Sequence, residues 1–165
     1  MPLDFPALLG RVYYRYPSYL IDAVTEHESG NRLVAVKNVT VGEEFFQGHF
    51  PRIPIMPAVL QIEALTQLAA ALVLDRAKAP FTARASLRGV DNAKFRRSVV
   101  PGDRLRLEVA LKRARTSLAR LHAAAYVDEQ VVAEADLLLA IDVGAAAVHP
   151  TAHVDPAAQI GEGTI

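Results

Sequence analysis

Between Pro57 and Leu74 the chain runs PAVLQIEALTQLAAALVL, with Val59, Leu60, Ile62, Ala64, Leu65, Leu68, Ala69, Leu72 and Val73 on nearly every side of a helical projection. A helix apolar almost all round has no solvent face, so the rest of the chain must bury it. Proline at the first helical position is tolerated, because its missing N–H would be unpaired there anyway. Asp75 to Pro80 ends the helix. This buried helix carries one acidic residue, Glu63. A carboxyl group on an apolar helix is costly unless something uses it.

The segments around the helix read as strands. Arg32 to Val41 is valine-rich and partly alternating, and Tyr19 to Val24 reads as an edge strand. Glu28 to Asn31 is a turn. From Ala85 onward the period becomes two: Leu105, Leu107, Val109 and Leu111 alternate with Arg106, Glu108 and Lys112. Leu118 to Val127 and Val131 to Ile141 form two strands joined at Asp128-Glu129-Gln130, and Pro101-Gly102-Asp103 is a further turn. Asp4 to Leu20 reads as a short helix and a loop. The expected class is α+β, an antiparallel sheet wrapped around one central helix.

The chain has 165 residues, 52% of them hydrophobic, enough for one domain with a sizeable core. Its 18 basic and 18 acidic residues balance, which argues against nucleic acid as the main partner. The basic residues are uneven, however. Lys94, Arg96, Arg97, Arg104 and Arg106 crowd together, and Lys112, Arg113, Arg115 and Arg120 follow. Two readings stand: a solvated strand face, or a docking patch for an acidic partner. Without cysteine there is no disulfide, thiolate metal site or cysteine nucleophile. Met1 to Gly10 does not read as a signal peptide, and the uninterrupted apolar run Leu68 to Leu74 is too short to cross a bilayer. A cytoplasmic protein with no membrane insertion is expected.

The chemistry concentrates in Gln47 to Gln67, QGHFPRIPIMPAVLQIEALTQ. His49 follows a glycine that permits close backbone approach, and Phe50 and Pro51 give it a stiff apolar wall. Thr66 and Gln67, three and four residues after Glu63, share its helix face and are placed to hydrogen-bond it. Desolvation favours the protonated form of a carboxyl, which suits a proton donor. The N–H groups of Ala58 and Val59 open the helix without intrahelical partners, at the positive end of its dipole. A base, an acid and an oxyanion donor so close together suit proton abstraction next to a carbonyl. His27, His122, His149 and His153 read as structural or surface residues, and the histidines do not group as metal ligands. Phosphate-loop, HExxH and GxSxG motifs are absent.

The stretches YPSYLIDAV, NRLVAVKNVTVGEEFFQGHFP, PIMPAVLQIEALTQ, VDNAKFRRSVVPGDRLRLEV and VAEADLLLA resemble the β-hydroxyacyl-acyl carrier protein dehydratases of the FabZ type, over about Tyr16 to Ile141. The resemblance implies a hotdog fold, a homodimer and in many members a hexamer built as a trimer of dimers. It implies catalysis by His49 from one subunit and Glu63 from the other, with the Ala58 N–H on the thioester oxygen. It implies a (3R)-hydroxyacyl substrate on the phosphopantetheine of acyl carrier protein, a trans-2-enoyl product, and no metal or organic cofactor. Phe50, Ile55, Val59 and Gln67 are the expected substrate-binding residues, and Lys94, Arg96 and Arg97 the expected docking residues for the acidic carrier.

The chain departs from the family pattern in three places. Ala58 stands where the family has glycine, Ala23 replaces an arginine, and Arg52-Ile53 replaces a glycine-basic pair. The Ala58 methyl is expected to crowd the thioester or strain the turn. It also favours the alternative to an enzyme, a low-turnover module that binds hydroxyacyl-carrier. A thioesterase on the same fold fits the HFP and EAL pairing less well.

The domain is expected to span residues 1–144, and 145–165 to be distinct. Val148, Val154 and Ile160 recur at hexapeptide spacing in VHPTAHVDPAAQIGEG. This tail resembles the first coil of an acyl-carrier-protein-dependent UDP-N-acetylglucosamine acyltransferase of the LpxA type. The expectation is a dehydratase cut from a fusion with a left-handed β-helix enzyme of lipid A synthesis.

Overall fold

The computed structural model of the chain describes Tyr14 and residues 17–77, 83–115 and 117–143. The hexapeptide tail and most of the N-terminal segment lie outside the described residues. Among the described residues six antiparallel strands form one sheet in the order β1-β2-β4-β5-β6-β3. They are β1 (Ala23–Glu28), β2 (Arg32–Asn38), β3 (Ala83–Phe95), β4 (Arg104–Ala114), β5 (Leu118–Val127) and β6 (Gln130–Val143). One helix, α1 (Ala58–Arg76), lies between β2 and β3 in sequence and packs against every strand from β2 to β6.

The reason is the composition of the facing surfaces. Leu105, Leu107 and Val109 of β4 point inward with no solvent exposure, while the charged Arg104, Arg106 and Glu108 alternate with them on the other face. The next strand answers them with small residues: Ala125 pairs Leu107 and Ala123 pairs Val109. On β6, Ala133 and Ala135 continue those rows. The helix contributes Ala64, Ala69, Ala70 and Ala71 among larger Leu65, Leu68 and Leu72, all essentially buried. Large and small side chains alternate across both surfaces, the pattern by which facing layers interdigitate. Alpha-helix α1 is long and apolar enough to cross a bilayer by length and composition, but 67% of that stretch is buried inside the fold, as in a core helix. A sheet wrapped around one helix is the hotdog arrangement.

Two boundaries and one short element differ from the sequence reading. The edge strand begins at Ala23 rather than Tyr19, because Leu20 and Ile21 are core residues and the Leu20 N–H is taken by the Gln67 side chain. Strand β2 ends at Asn38 rather than Val41. There the Asp22 carboxylate accepts the Asn38 backbone N–H at 2.6 Å and its side-chain amide at 3.0 Å. A short 3-10 helix, Glu44–Gln47, precedes His49 where no element was expected. The turn between β1 and β2 uses Gly30 at φ 71°, and its carbonyl accepts Arg76 Nη1 at 3.1 Å, tying the hairpin to the end of α1.

Candidate active site

His49 sits on a loop built by its own backbone. The His49 N–H donates to the Phe45 carbonyl at 3.0 Å, and the His49 carbonyl accepts the Ile55 N–H at 3.0 Å. Phe50 and Ile53 exchange two backbone bonds within that bracket, and the Met56 N–H donates to Val99 at 2.8 Å, fixing the loop to the β3–β4 connection. Prolines 51, 54 and 57 keep the loop from joining the helix. The ring itself stacks on Phe50, 4.2 Å between centroids. Its Nδ1 lies 2.8 Å from the Ile55 carbonyl oxygen. A carbonyl only accepts, so Nδ1 carries the proton and Nε2 of the neutral ring is left as a free base. Ile55 thus acts on His49 through its backbone.

Helix α1 starts immediately after this loop. Pro57 is its N-cap and offers no side-chain cap, while its carbonyl accepts the Leu60 and Gln61 N–H groups. The N–H groups of Ala58 and Val59 precede the first intrahelical bonds and remain available to an anion. Ala58 does not adopt positive φ. The expected strain of an alanine here is therefore not observed, because a helical residue needs no glycine.

Glu63 is half-buried two positions past Gln61 and faces a cavity of about 720 Å³ lined by Tyr14, Ser18, Leu20, Lys37, Phe45 and Leu60 among others. Gln67 donates to Glu63 Oε1 at 3.1 Å, as its spacing predicted. Thr66 does not contact the carboxylate; its hydroxyl donates to the Ile62 carbonyl at 2.8 Å, the usual satisfaction of a mid-helix threonine. Gln67 is 1% exposed, and its amide is spent on Leu20, Ser18 and Glu63. Lys37, which the sequence reading did not single out, is 3% exposed and pairs with Glu43 at 2.6 Å beside the cavity. Among the described residues no group of three or more histidines or carboxylates gathers as a metal site.

His49 does not line the cavity that holds Glu63. Its ring stacks on the exposed Phe50 (51%), and Ile53 and Val59, in the same loop and at the start of α1, are exposed too, at 65% and 72%. Phe50 and Val59, expected in the acyl tunnel, do not line the cavity that holds Glu63.

Among the expected docking residues, Lys94 and Arg96 are well exposed and share Glu134, while Arg97 grips Asp103 through two bonds at 3.1 and 3.2 Å. Asp103 also accepts the Val100 N–H, so Arg97 braces the Pro101-Gly102-Asp103 turn. Arg113, Arg115 and Arg120 meet beside Leu118 and Leu138 around a second groove of about 360 Å³ at the β4–β5 end. The sequence signal for that groove was the second half of the basic run.

Comparison with known proteins bears on these arrangements. Residues 15–136 match the family model of the FabA-like domain. The chain is 46% identical over 140 residues to a 3-hydroxyacyl-[acyl-carrier-protein] dehydratase FabZ of Desulforamulus reducens, covering 84% of this chain and 97% of that one. It is 45% identical over 150 residues to the protein of the same name from Bordetella petrii, covering 86% and 97%. In structure it is similar to a chain of the dehydratase heterocomplex ApeI:P from Xenorhabdus doucetiae, with a TM-score of 0.65, 13% identity, and coverage of 81% of this chain and 89% of that one. At that identity the likeness speaks for the fold. With the loop histidine, the helix glutamate and the wrapped sheet in one arrangement, the chain belongs to the FabA-like family, as a dehydratase of the FabZ type.

Proposed function

We propose that the chain dehydrates (3R)-hydroxyacyl groups carried by acyl carrier protein, releasing water and a trans-2-enoyl thioester. The observation that carries the mechanism is the bond from His49 Nδ1–H to the Ile55 carbonyl, which leaves Nε2 as the base. His49 Nε2 takes the proton from the α-carbon. The thioester oxygen gathers charge as that bond breaks, and the Ala58 N–H at the head of α1 stabilises it. Glu63, directly or through a water, gives a proton to the β-hydroxyl as the C–O bond breaks. These steps need no metal or organic cofactor.

His49 and Glu63 act together when two copies associate. The exposed Phe50, Ile53 and Val59, in the loop that carries His49 and at the start of α1, support this reading, since exposed apolar side chains are what a second subunit covers. In the dimer Phe50, Ile55 and Val59 of one subunit would complete a tunnel leading to the partner's cavity, and hexamers would follow by association of dimers. The acidic carrier docks on basic surface. Lys94 and Arg96 supply one part, and the arginine groove of Arg113, Arg115 and Arg120 supplies a denser one. The setting is cytoplasmic fatty acid synthesis, with lipid A synthesis drawing on the same carrier-bound substrates.

The test is turnover. Purified protein converts a hydroxyacyl-carrier to the enoyl product, or hydrates crotonoyl thioester. His49→Ala and Glu63→Gln each lower the rate by about 10²–10⁴. Parental rates in either variant would remove that residue from the mechanism.

A further inference from the structure

Lys37 is the one buried charged residue among the described residues, 3% exposed, and the dehydration steps make no use of it. It lies near the end of β2, and its ammonium donates to Glu43 Oε1 at 2.6 Å. A buried ion pair often adds nothing to stability over apolar side chains of similar volume, so the fold alone gives little reason for this one. What the pair holds is more telling. Glu43 is the N-cap of the 3-10 helix Glu44–Gln47, yet its carboxylate caps no N–H of that helix. It turns back to β2 instead. The Glu43 carbonyl accepts the Phe46 N–H at 3.1 Å, and the Phe45 carbonyl accepts the Gly48 and His49 N–H groups at 3.4 and 3.0 Å.

The His49 loop therefore hangs between two anchors. At its far end the Met56 N–H donates to Val99 at 2.8 Å, a bond that any side chain permits. At its near end the 3-10 helix is held by the buried Phe46 and by the Lys37–Glu43 pair. The apolar contact is non-directional, whereas a short charge-assisted bond fixes direction as well as distance. We propose that Lys37 is a positioning residue of the dehydration site, which through Glu43 and the 3-10 helix sets where the His49 ring stands. The proposal rests on His49 being the base. A base displaced by about an ångström loses much of its rate, so the effect falls on proton transfer and is read in kcat rather than KM.

The experiment uses the full chain with 3-hydroxybutyryl-acyl carrier protein as substrate, well below the thermal midpoint of each variant. Lys37→Met keeps the length of the side chain and removes its charge. The expected result is a kcat lower by about 10- to 100-fold, with KM unchanged within about twofold. In the His49→Ala background the same change lowers the residual rate by less than about twofold, because residues acting as a unit are not additive. Nitrogen NMR of ring-labelled Lys37→Met protein is expected to show the His49 signals displaced, which a loss of global stability alone does not produce. Glu43→Gln keeps an acceptor oxygen and removes the charge, so it is expected to lose less rate, about 3- to 10-fold, and it meets the same three criteria if Lys37→Met does not fold. Parental kcat in the folded variant, an equal loss in the parent and His49→Ala backgrounds, or unmoved His49 signals would each overturn the proposal. If His49→Ala alone turns over at the parental rate, the reading of His49 itself is what fails, and the role of Lys37 falls with it.

Discussion

His49 Nδ1 is hydrogen-bonded to the carbonyl oxygen of Ile55, 2.8 Å away, six residues on in the same loop. Because a backbone carbonyl cannot be mutated away, the bond makes the tautomer a property of the loop fold. The neutral ring is expected to carry its proton on Nδ1, and nitrogen NMR of ring-labelled protein reads this directly. A proton on Nε2 instead would leave His49 without a base at the nitrogen assigned to the α-proton.

The separation of His49 from the Glu63 cavity sets a second expectation. If the site spans two copies, His49→Ala and Glu63→Gln proteins, each nearly inactive, complement one another when refolded together. A mixed dimer then holds one intact site, and random mixing restores up to about a quarter of the parental activity. Failure of a mixture that contains mixed dimers to recover any activity would place both residues in a single-chain site.

Lys37 and Glu43 form a pair in which the lysine is 4% exposed at its side chain and the glutamate 23%. Glu43 is the N-cap of the 3-10 helix that leads to His49. Glu43→Ala strands a buried ammonium, with an expected loss of about 2–4 kcal/mol in denaturant unfolding. Lys37→Met replaces the stem with apolar bulk and leaves the more exposed partner alone, so its loss is smaller. Equal and negligible losses would show that the pair does not hold the segment.

Helix α1 was legible because nine apolar residues left it no polar face, and β4 to β6 because their period is two. The edge strand was misplaced because Leu20 and Ile21 look like strand residues locally, yet a glutamine on a distant helix takes the Leu20 N–H. Glu63 stood out in the sequence as a charge on an apolar helix. That it faces a cavity shared with Lys37 and Phe45 did not, since local sequence does not encode which distant segments meet there. Thr66 and Gln67 had equal claims by spacing, and rotamer decided between them: the hydroxyl turned to its own helix.

Glu108 is held below the ordinary glutamate range, mainly by its bond to Arg32 and also by Arg106, against the opposing cost of burial. A carboxyl with a depressed folded-state pKa adds stability above its unfolded value, about 4.3, and that part is lost as pH falls through the folded value. The folded protein is thus expected to lose stability in acid below about pH 4.3 faster than a Glu108→Gln variant, which lacks this group. Unfolding curves at neutral and acid pH check it. Identical slopes in the two proteins would show that the Arg32 pairing adds nothing.

Ala58 opens α1 with its N–H available, and its helical backbone asks for no glycine. What remains of the expected penalty is the methyl itself, one bond from the Cα that adjoins the N–H. Glycine at this position would cost up to about 1 kcal/mol in helix stability, less at a first turn than in a helix interior. Since the oxyanion donor is backbone in both cases, Ala58→Gly is expected to change kcat by less than about threefold while lowering the thermal midpoint slightly. A gain of about tenfold or more would instead mean that the methyl keeps the thioester oxygen out of hydrogen-bond reach. The catalytic pair would then be sound, with its oxyanion site partly blocked in the parent chain.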